Sequence, residues 1–397
     1  MRTFFARTIA FLGSYGLAAI LMVLLMLLTL AGTLEQGRST LYDVQTRYFE
    51  SVFVIHYIAG KYPVPLPGAM LLLPLLFVNL LVGGLWRMRK GTSTLGIFVV
   101  HLGIVLLLAG SWVEHQWSTK GQMKLEEGQS SDEYVAYRKW EVAIREIHPD
   151  GSTREYVIPE EEFDSLDGDA RYRFQHPDLP FDLVLSGYLP DARPKPAEPG
   201  QGVRGYVLAP PPPTKANRNR LDLPGLEALT VAKGGEGGAS ARGLLFGGQR
   251  SPWTLPGAVT GGTRWQVMLR QRRWQLPFTI RLDRFVREVY PGTGVPKRFS
   301  SFVTQTESGV SREAHITMNE PLRSQGYTLY QSSWGPQGAP PGTRLFSTFS
   351  VVANPSDRVP LIACIVIGVG LLLHFGRKLH LYLKAQQRRL AAERIVS

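Results

Sequence analysis

The chain has 397 residues, is 44% hydrophobic and 19% charged, and carries a net charge of +12. Its single cysteine, Cys364, excludes an internal disulfide, a CxxC thiol pair and a CxxCH haem-attachment motif. Much of the basic excess sits beside apolar runs, and no aromatic-interleaved basic patch accompanies it, so no nucleic-acid partner is expected.

A spanning helix needs roughly 20 mostly apolar residues. Four segments qualify: Phe11–Ala31, Leu66–Trp86, Leu95–Trp112 and Val359–Phe375. The first follows Arg2 and Arg7, as a secretory signal does. Its apolar run is longer than the roughly 7–15 residues of a signal core, so a retained anchor is expected. Leu41–Ile58 has apolar residues at helical spacing and is expected to form an amphipathic helix at the outer membrane surface, with His56 as an interfacial residue. Pro63, Pro65 and Pro67 then lead into the second span, where proline is tolerated at a helix start.

Arg87–Ser93 is a short loop, which makes the second and third spans antiparallel neighbours. Gly83, Gly84, Gly103 and Gly110 permit close helix approach. The third span contains His101 with apolar residues on both sides. An ionisable group there costs about a few kcal/mol, so its default reading is functional. It lies about 9–10 Å from the Leu95 end of the span. His115 falls past the other end, near Trp112 and Trp117, which read as an interfacial belt. A polar connector, Ser118 to Gly121, follows.

From Tyr137 the pattern changes to period two. RKWEVAIREI, FDLVLSGYL, RWQVMLRQRRW, FTIRLDRFVREVY, EAHITMNEPL, YTLYQSSW and RLFSTFSVV all read as strands. Asp191–Thr263 is heavy in Pro and Gly and is expected to be a loop insert with little core of its own. The fold class expected is a bundle of four transmembrane helices plus a large all-β extracytoplasmic domain, a sandwich or an open barrel. The expected divisions are 1–34 (first span), 35–65 (connector), 66–117 (second and third spans), 118–358 (β domain with insert 191–263) and 359–397 (fourth span and basic tail).

Lys and Arg cluster before the first span, after the second and after the fourth. The positive-inside rule places all three clusters in the cytoplasm and the β domain outside. In a bacterium this is the inner membrane, crossed several times, with lipid as a partner.

Three sets of residues resemble the ResB family (CcsB-type) of system II cytochrome c biogenesis proteins. They are His101-Leu102-Gly103 with Leu108-Ala109-Gly110 and Gly121–Gly128, the run Asn319-Glu320-Pro321-Leu322 to Gly326–Trp334, and Asn354-Pro355 before the last span. The order of spans is also that family's. The resemblance implies a haem-handling subunit working with a ResC/CcsA-type partner. Together they carry haem b across the membrane and present it to apocytochrome c. It further implies that His101 is an axial haem-iron ligand, with His115 a weaker candidate. The tryptophan-rich haem-presenting segment of the partner family is absent, which implies a non-catalytic or co-catalytic role in the holocytochrome c synthase. Gln331-Ser332-Ser333 lacks a nucleophile–base pair and reads as a packing or docking element. The alternative is a membrane-anchored envelope scaffold whose β domain binds partner proteins.

Overall fold

The computed structural model describes residues 2–396 apart from 38, 40, 59–60, 167, 212–221, 234–238, 293–294, 337, 339 and 341–342. The helices are α1 (Arg2–Leu12), α2 (Tyr15–Glu35), α3 (Leu41–Val44), α4 (Ala69–Asn79), α5 (Leu95–Trp117), α6 (Gly257–Thr260) and α7 (Val359–Val396). Two π-helical stretches extend this set, Gln45–Phe49 after α3 and Leu80–Trp86 after α4. The chain divides into two compact units. One is built from Met1–Ser118 and Asn354–Ser397, the other from Thr119–Pro213 and Leu221–Ala353.

In the helical unit, four helices are long and apolar enough to cross a membrane: Tyr15–Glu35, Ala69–Trp86, Leu95–Trp117 and Val359–Ala391. The first expected span is broken at Gly13–Ser14, where the Ser14 hydroxyl accepts from Leu17 N and caps α2. Asn79 on α4 donates to Leu12 O (2.6 Å) and Ser14 O (3.1 Å), tying that break to the second span. The expected amphipathic helix over Leu41–Ile58 ends at Phe49. Its second half is strand β1 (Phe53–Ile58), paired antiparallel with β2 (Tyr62–Pro67). Pro63, Pro65 and Pro67 therefore lie in a strand, not at a helix start. Val44, Tyr48 and Val54 from this segment are buried with Leu21, Leu28 and Ala31 of α2 and with Ala69 and Leu72 of α4.

α5 packs chiefly on α7, not on the second span. Gly96, Gly103 and Gly110 recur every seven residues on one buried stripe facing α7. A β-carbon at Gly103 would lie 2.5 Å from Ile367 Cγ1, so only glycine lets the two backbones approach this closely. Ser356 Oγ donates to Gly110 O (2.8 Å), and Asn354 Oδ1 accepts from Ser356 N (2.8 Å). These bonds fix the start of α7 beside the end of α5. The expected basic tail continues as helix to Val396.

The other unit is β-rich and begins as a strand at its first residue, Thr119, so the expected polar connector Ser118–Gly121 runs straight into a strand. Its strands are β3 (Thr119–Glu126), β4 (Ser130–Ile147), β5 (Thr153–Pro159), β6 (Arg171–Phe174), β7 (Phe181–Leu189), β8 (Arg193–Pro196), β9 (Tyr206–Ala209), β10 (Gly225–Ala232), β11 (Ser240–Phe246), β12 (Trp253–Thr254), β13 (Arg264–Val289), β14 (Pro296–Glu307), β15 (Val310–Thr317), β16 (Leu322–Ser324), β17 (Tyr327–Gly335) and β18 (Phe346–Ala353). A ten-stranded sheet runs β15-β14-β13-β4-β3-β18-β17-β16, with β5 on β4 and β12 on β13. A four-stranded sheet runs β11-β10-β7-β6.

β13 explains how one strand serves two cores. Trp265, Val267 and Leu269 enter a core formed with β4, β5 and the four-stranded sheet. Leu276, Phe278, Ile280 and Leu282 enter a second core lined by β3, β14, β15, β17 and β18. The first set has odd numbers and the second even, so the two cores lie on opposite faces of the strand. β4 follows by a bulge: between its pairs with Gln271 and Arg273 it runs from Trp140 to Val135. That excess of residues turns its apolar set over. The first core is a sandwich. Around the second, the sheet curls until β14 bonds to β16, β17 and β18 through Gln305–Ser324, Ser301–Gln331 and Ser301–Ser347.

The Gly/Pro-rich insert departs from expectation. It holds β8 to β12, and Leu226, Ala228, Leu245, Trp253, Leu255 and Val259 are buried in the first core. Its apolar residues alternate within short strands that Gly and Pro turns separate, and average composition hides this.

Candidate functional site

His101 points away from the glycine stripe of α5. Two residues of helix separate it from Gly103, a rotation of about 160°. α5 thus gives its small residues to α7 and its imidazole to the opposite side, where the second span ends. There His101 Nδ1 lies 3.1 Å from Gly84 O. A carbonyl only accepts, so Nδ1 bears a proton and Nε2 is the nitrogen left outside that bond. Gly84 is in the π-helical end of the second span, among the terminal carbonyls that have no partner further along. It also has to be glycine, since a β-carbon there would lie 2.9 Å from His101 Nδ1. The ring is half-buried. The site is therefore an oriented imidazole inside an apolar helix pair.

His115 does not join it. It is exposed, its ring 6.4 Å from that of Trp112. The step of fourteen residues from one histidine to the other corresponds to about 21 Å along the helix. The two cannot share one metal, and no cluster of three or more metal-ligating side chains exists among the described residues. His56 lies on β1, with Nδ1 2.5 Å from the Tyr48 hydroxyl. Burial pushes the Tyr48 phenol up, and the nearby Glu35 charge adds to it.

In the β unit, the Gln331–Trp334 run is held by residues distant in sequence. Gln331 Oε1 accepts from Ser301 Oγ (2.6 Å), and Gln331 Nε2 donates to Ser347 Oγ (2.9 Å). Ser301 and Ser347 are fully buried. Ser332 sits at a bulge opposite β18 and is exposed with Ser333. Among the described residues no histidine or carboxylate bonds either hydroxyl. Trp334 stacks on Phe285 with centroids 5.8 Å apart and lies under Arg287. Ser301, Ser347 and Phe285 carry no local signal, and only the folded chain brings them, and Gly84, to their partners.

Residues 256–341 match the ResB-like family. The ResB-like segment runs from α6 through β17 and contains the Asn319–Trp334 motif around the second core. α5 and His101 lie outside it. No curated protein matches the chain significantly.

Proposed function

We propose that this chain is a haem-handling subunit of a cytochrome c synthase in a bacterial inner membrane. It works with a ResC/CcsA-type membrane partner and delivers haem b to apocytochrome c on the outer face. The observation that carries this reading is the His101–Gly84 pair. Haem iron takes a neutral imidazole nitrogen as an axial ligand. The bond from Nδ1 to Gly84 O holds the tautomer and the ring plane that such a ligand needs, as an outer partner of a metal-bound histidine does. The ResB-like segment supports the same assignment through the family's association with cytochrome c biogenesis.

The residues of this chain bind and orient; they do not form the thioether bonds. The β unit contains no cysteine, so the reacting thiols belong to the apocytochrome. Arg87, Arg89 and Lys90 follow the second span, a few residues past Gly84, and offer cations for propionates. The basic clusters support a cytoplasmic location for this end and an extracytoplasmic one for the β unit.

The test is purification of the chain with its partner, comparing wild type and His101→Ala. Loss of the Soret band and of cytochrome c yield, with both subunits still recovered, is the expected result. Full haem content after the substitution overturns the assignment.

A further inference from the structure

The β1–β2 hairpin between the first two candidate spans has two unlike faces. On one, Val54 is buried and Leu66 packs beside it, both within the core built by α2 and α4. On the other, Phe53, Ile55 and Tyr57 are 70%, 52% and 47% exposed. Directly across from them stand Pro67, Pro65 and Pro63. That face carries no charge and no hydrogen-bonding group other than one phenol.

The prolines decide what can cover it. In an antiparallel pair, residues alternate between positions that exchange hydrogen bonds and positions whose N–H and C=O point outward. Proline has no N–H, so Pro63, Pro65 and Pro67 occupy the outward positions. Tyr62, Val64 and Leu66 then turn their donors inward, to β1. The free edge of β2 therefore has no N–H donor along its whole length. Such an edge cannot be extended by a partner strand, which needs donors and acceptors in turn. It also escapes the main penalty of an unpaired strand beside hydrocarbon, the buried free donor.

The position of the hairpin is set by its neighbours. β2 ends at Pro67 and α4 begins at Ala69, while β1 follows the helical turns that leave α2. At the tip, Lys61 lies over the Tyr62 ring at 5.6 Å, a cation beside an aromatic of the kind found at headgroup level.

We propose that this hairpin is an interfacial membrane wedge. Its Phe53–Ile55–Tyr57 face sits in the headgroup–acyl boundary of the bilayer, beside the first two spans. This rests on the helices crossing a membrane.

The experiment uses the full chain with Cys364→Ser as background. Single cysteines are placed at Ile55, at Val310 (71% exposed, in the β unit) and at Leu372 (76% exposed, on α7). Each is labelled with an environment-sensitive fluorophore in phosphatidylcholine–phosphatidylglycerol vesicles. Quenching is read with iodide, with a lipid spin-labelled just below the headgroup and with one labelled near the bilayer centre. The Ile55 label is expected to be quenched by the shallow lipid and to be several-fold less open to iodide than the Val310 label. The Leu372 label is expected to respond to the deep lipid. If Leu372 responds and the Ile55 label behaves like Val310, the wedge is overturned and the spans stand. If neither responds to lipid, the membrane reading itself fails. A label at Ile55 shielded from both iodide and lipid means protein covers this face, which also overturns the wedge.

Discussion

His101 and Gly84 work as one unit, because the absent side chain of the second makes room for the ring and its carbonyl orients it. Under the proposed haem-handling role, Gly84→Val is expected to remove haem as completely as His101→Ala, although the imidazole itself is retained. A Soret band of wild-type intensity in that variant would show that the pair does not position the ligand. A second residue-scale group governs stability. Arg270, only 10% exposed, bonds Glu141 (2.8 Å) and Glu155 (2.7 Å), and Arg145 bonds Glu155 (2.6 Å). Arg270→Met leaves Glu141 buried without its cation and is expected to cost about 3–5 kcal/mol in denaturant unfolding. The double variant with Glu141→Leu recovers most of it. The hydrogen bond from Arg270, with that from Arg145, lowers the Glu155 carboxyl from an ordinary 4.5 to about 2. The folded value is the lower one, so this stabilisation is whole above about pH 5 and is lost as pH falls towards 2. Glu155→Gln should flatten the melting temperature over that window, and an unchanged slope would exclude Glu155 as its source.

The elements differ in how openly the chain announces them. The parity change in β13 is visible in its letters, Trp265, Val267, Leu269 and then Leu276, Phe278, Ile280. Whether the two sets belong to one strand or two depends on the β4 bulge, a matter of pairing. Leu41–Ile58 has apolar residues that suit a helix or a strand equally. Its second half becomes a strand because the alternating prolines of Tyr62–Pro67 supply an edge with inward donors only at the intervening positions. The heptad of glycines in α5 is plain in sequence, yet that it faces α7 and not the second span required the packed chain. Gly103→Leu is expected to push α7 away from α5 and lower the melting temperature of the detergent-solubilised chain. The same melting temperature would mean the helices pack elsewhere. In the second core, Ser347→Ala removes one of the two acceptors of Gln331 Nε2, leaving Ser333 O (3.0 Å), and should cost about 0.5–1.5 kcal/mol.

At the scale of the whole molecule, β4 and β13 pass through both cores of the β unit, so damage to one core is felt by the other. Trp265→Ala, about 3–5 kcal/mol at a fully buried site, is expected to lower a single unfolding transition rather than split it in two. Two transitions in calorimetry would show that the cores melt independently. The proposed topology is checked by reporter fusions. An enzyme active only outside the cytoplasm should work when inserted at Val310 and fail when fused after Arg389. Activity at both positions would refute the orientation.

Four apolar runs, a period-two region and the positions of the basic clusters could be read directly from the chain, because length, alternation and charge are local properties. His101 stood out for the same reason: one titratable ring among apolar neighbours needs no fold to be noticed. The oxygen that orients that ring, the serines that hold Gln331 and the core residues hidden in a Gly/Pro-rich stretch could not be read this way. Each depends on atoms far apart in sequence meeting at hydrogen-bond or van der Waals distance. Pairing and packing set those meetings, and composition and spacing along the chain do not record them.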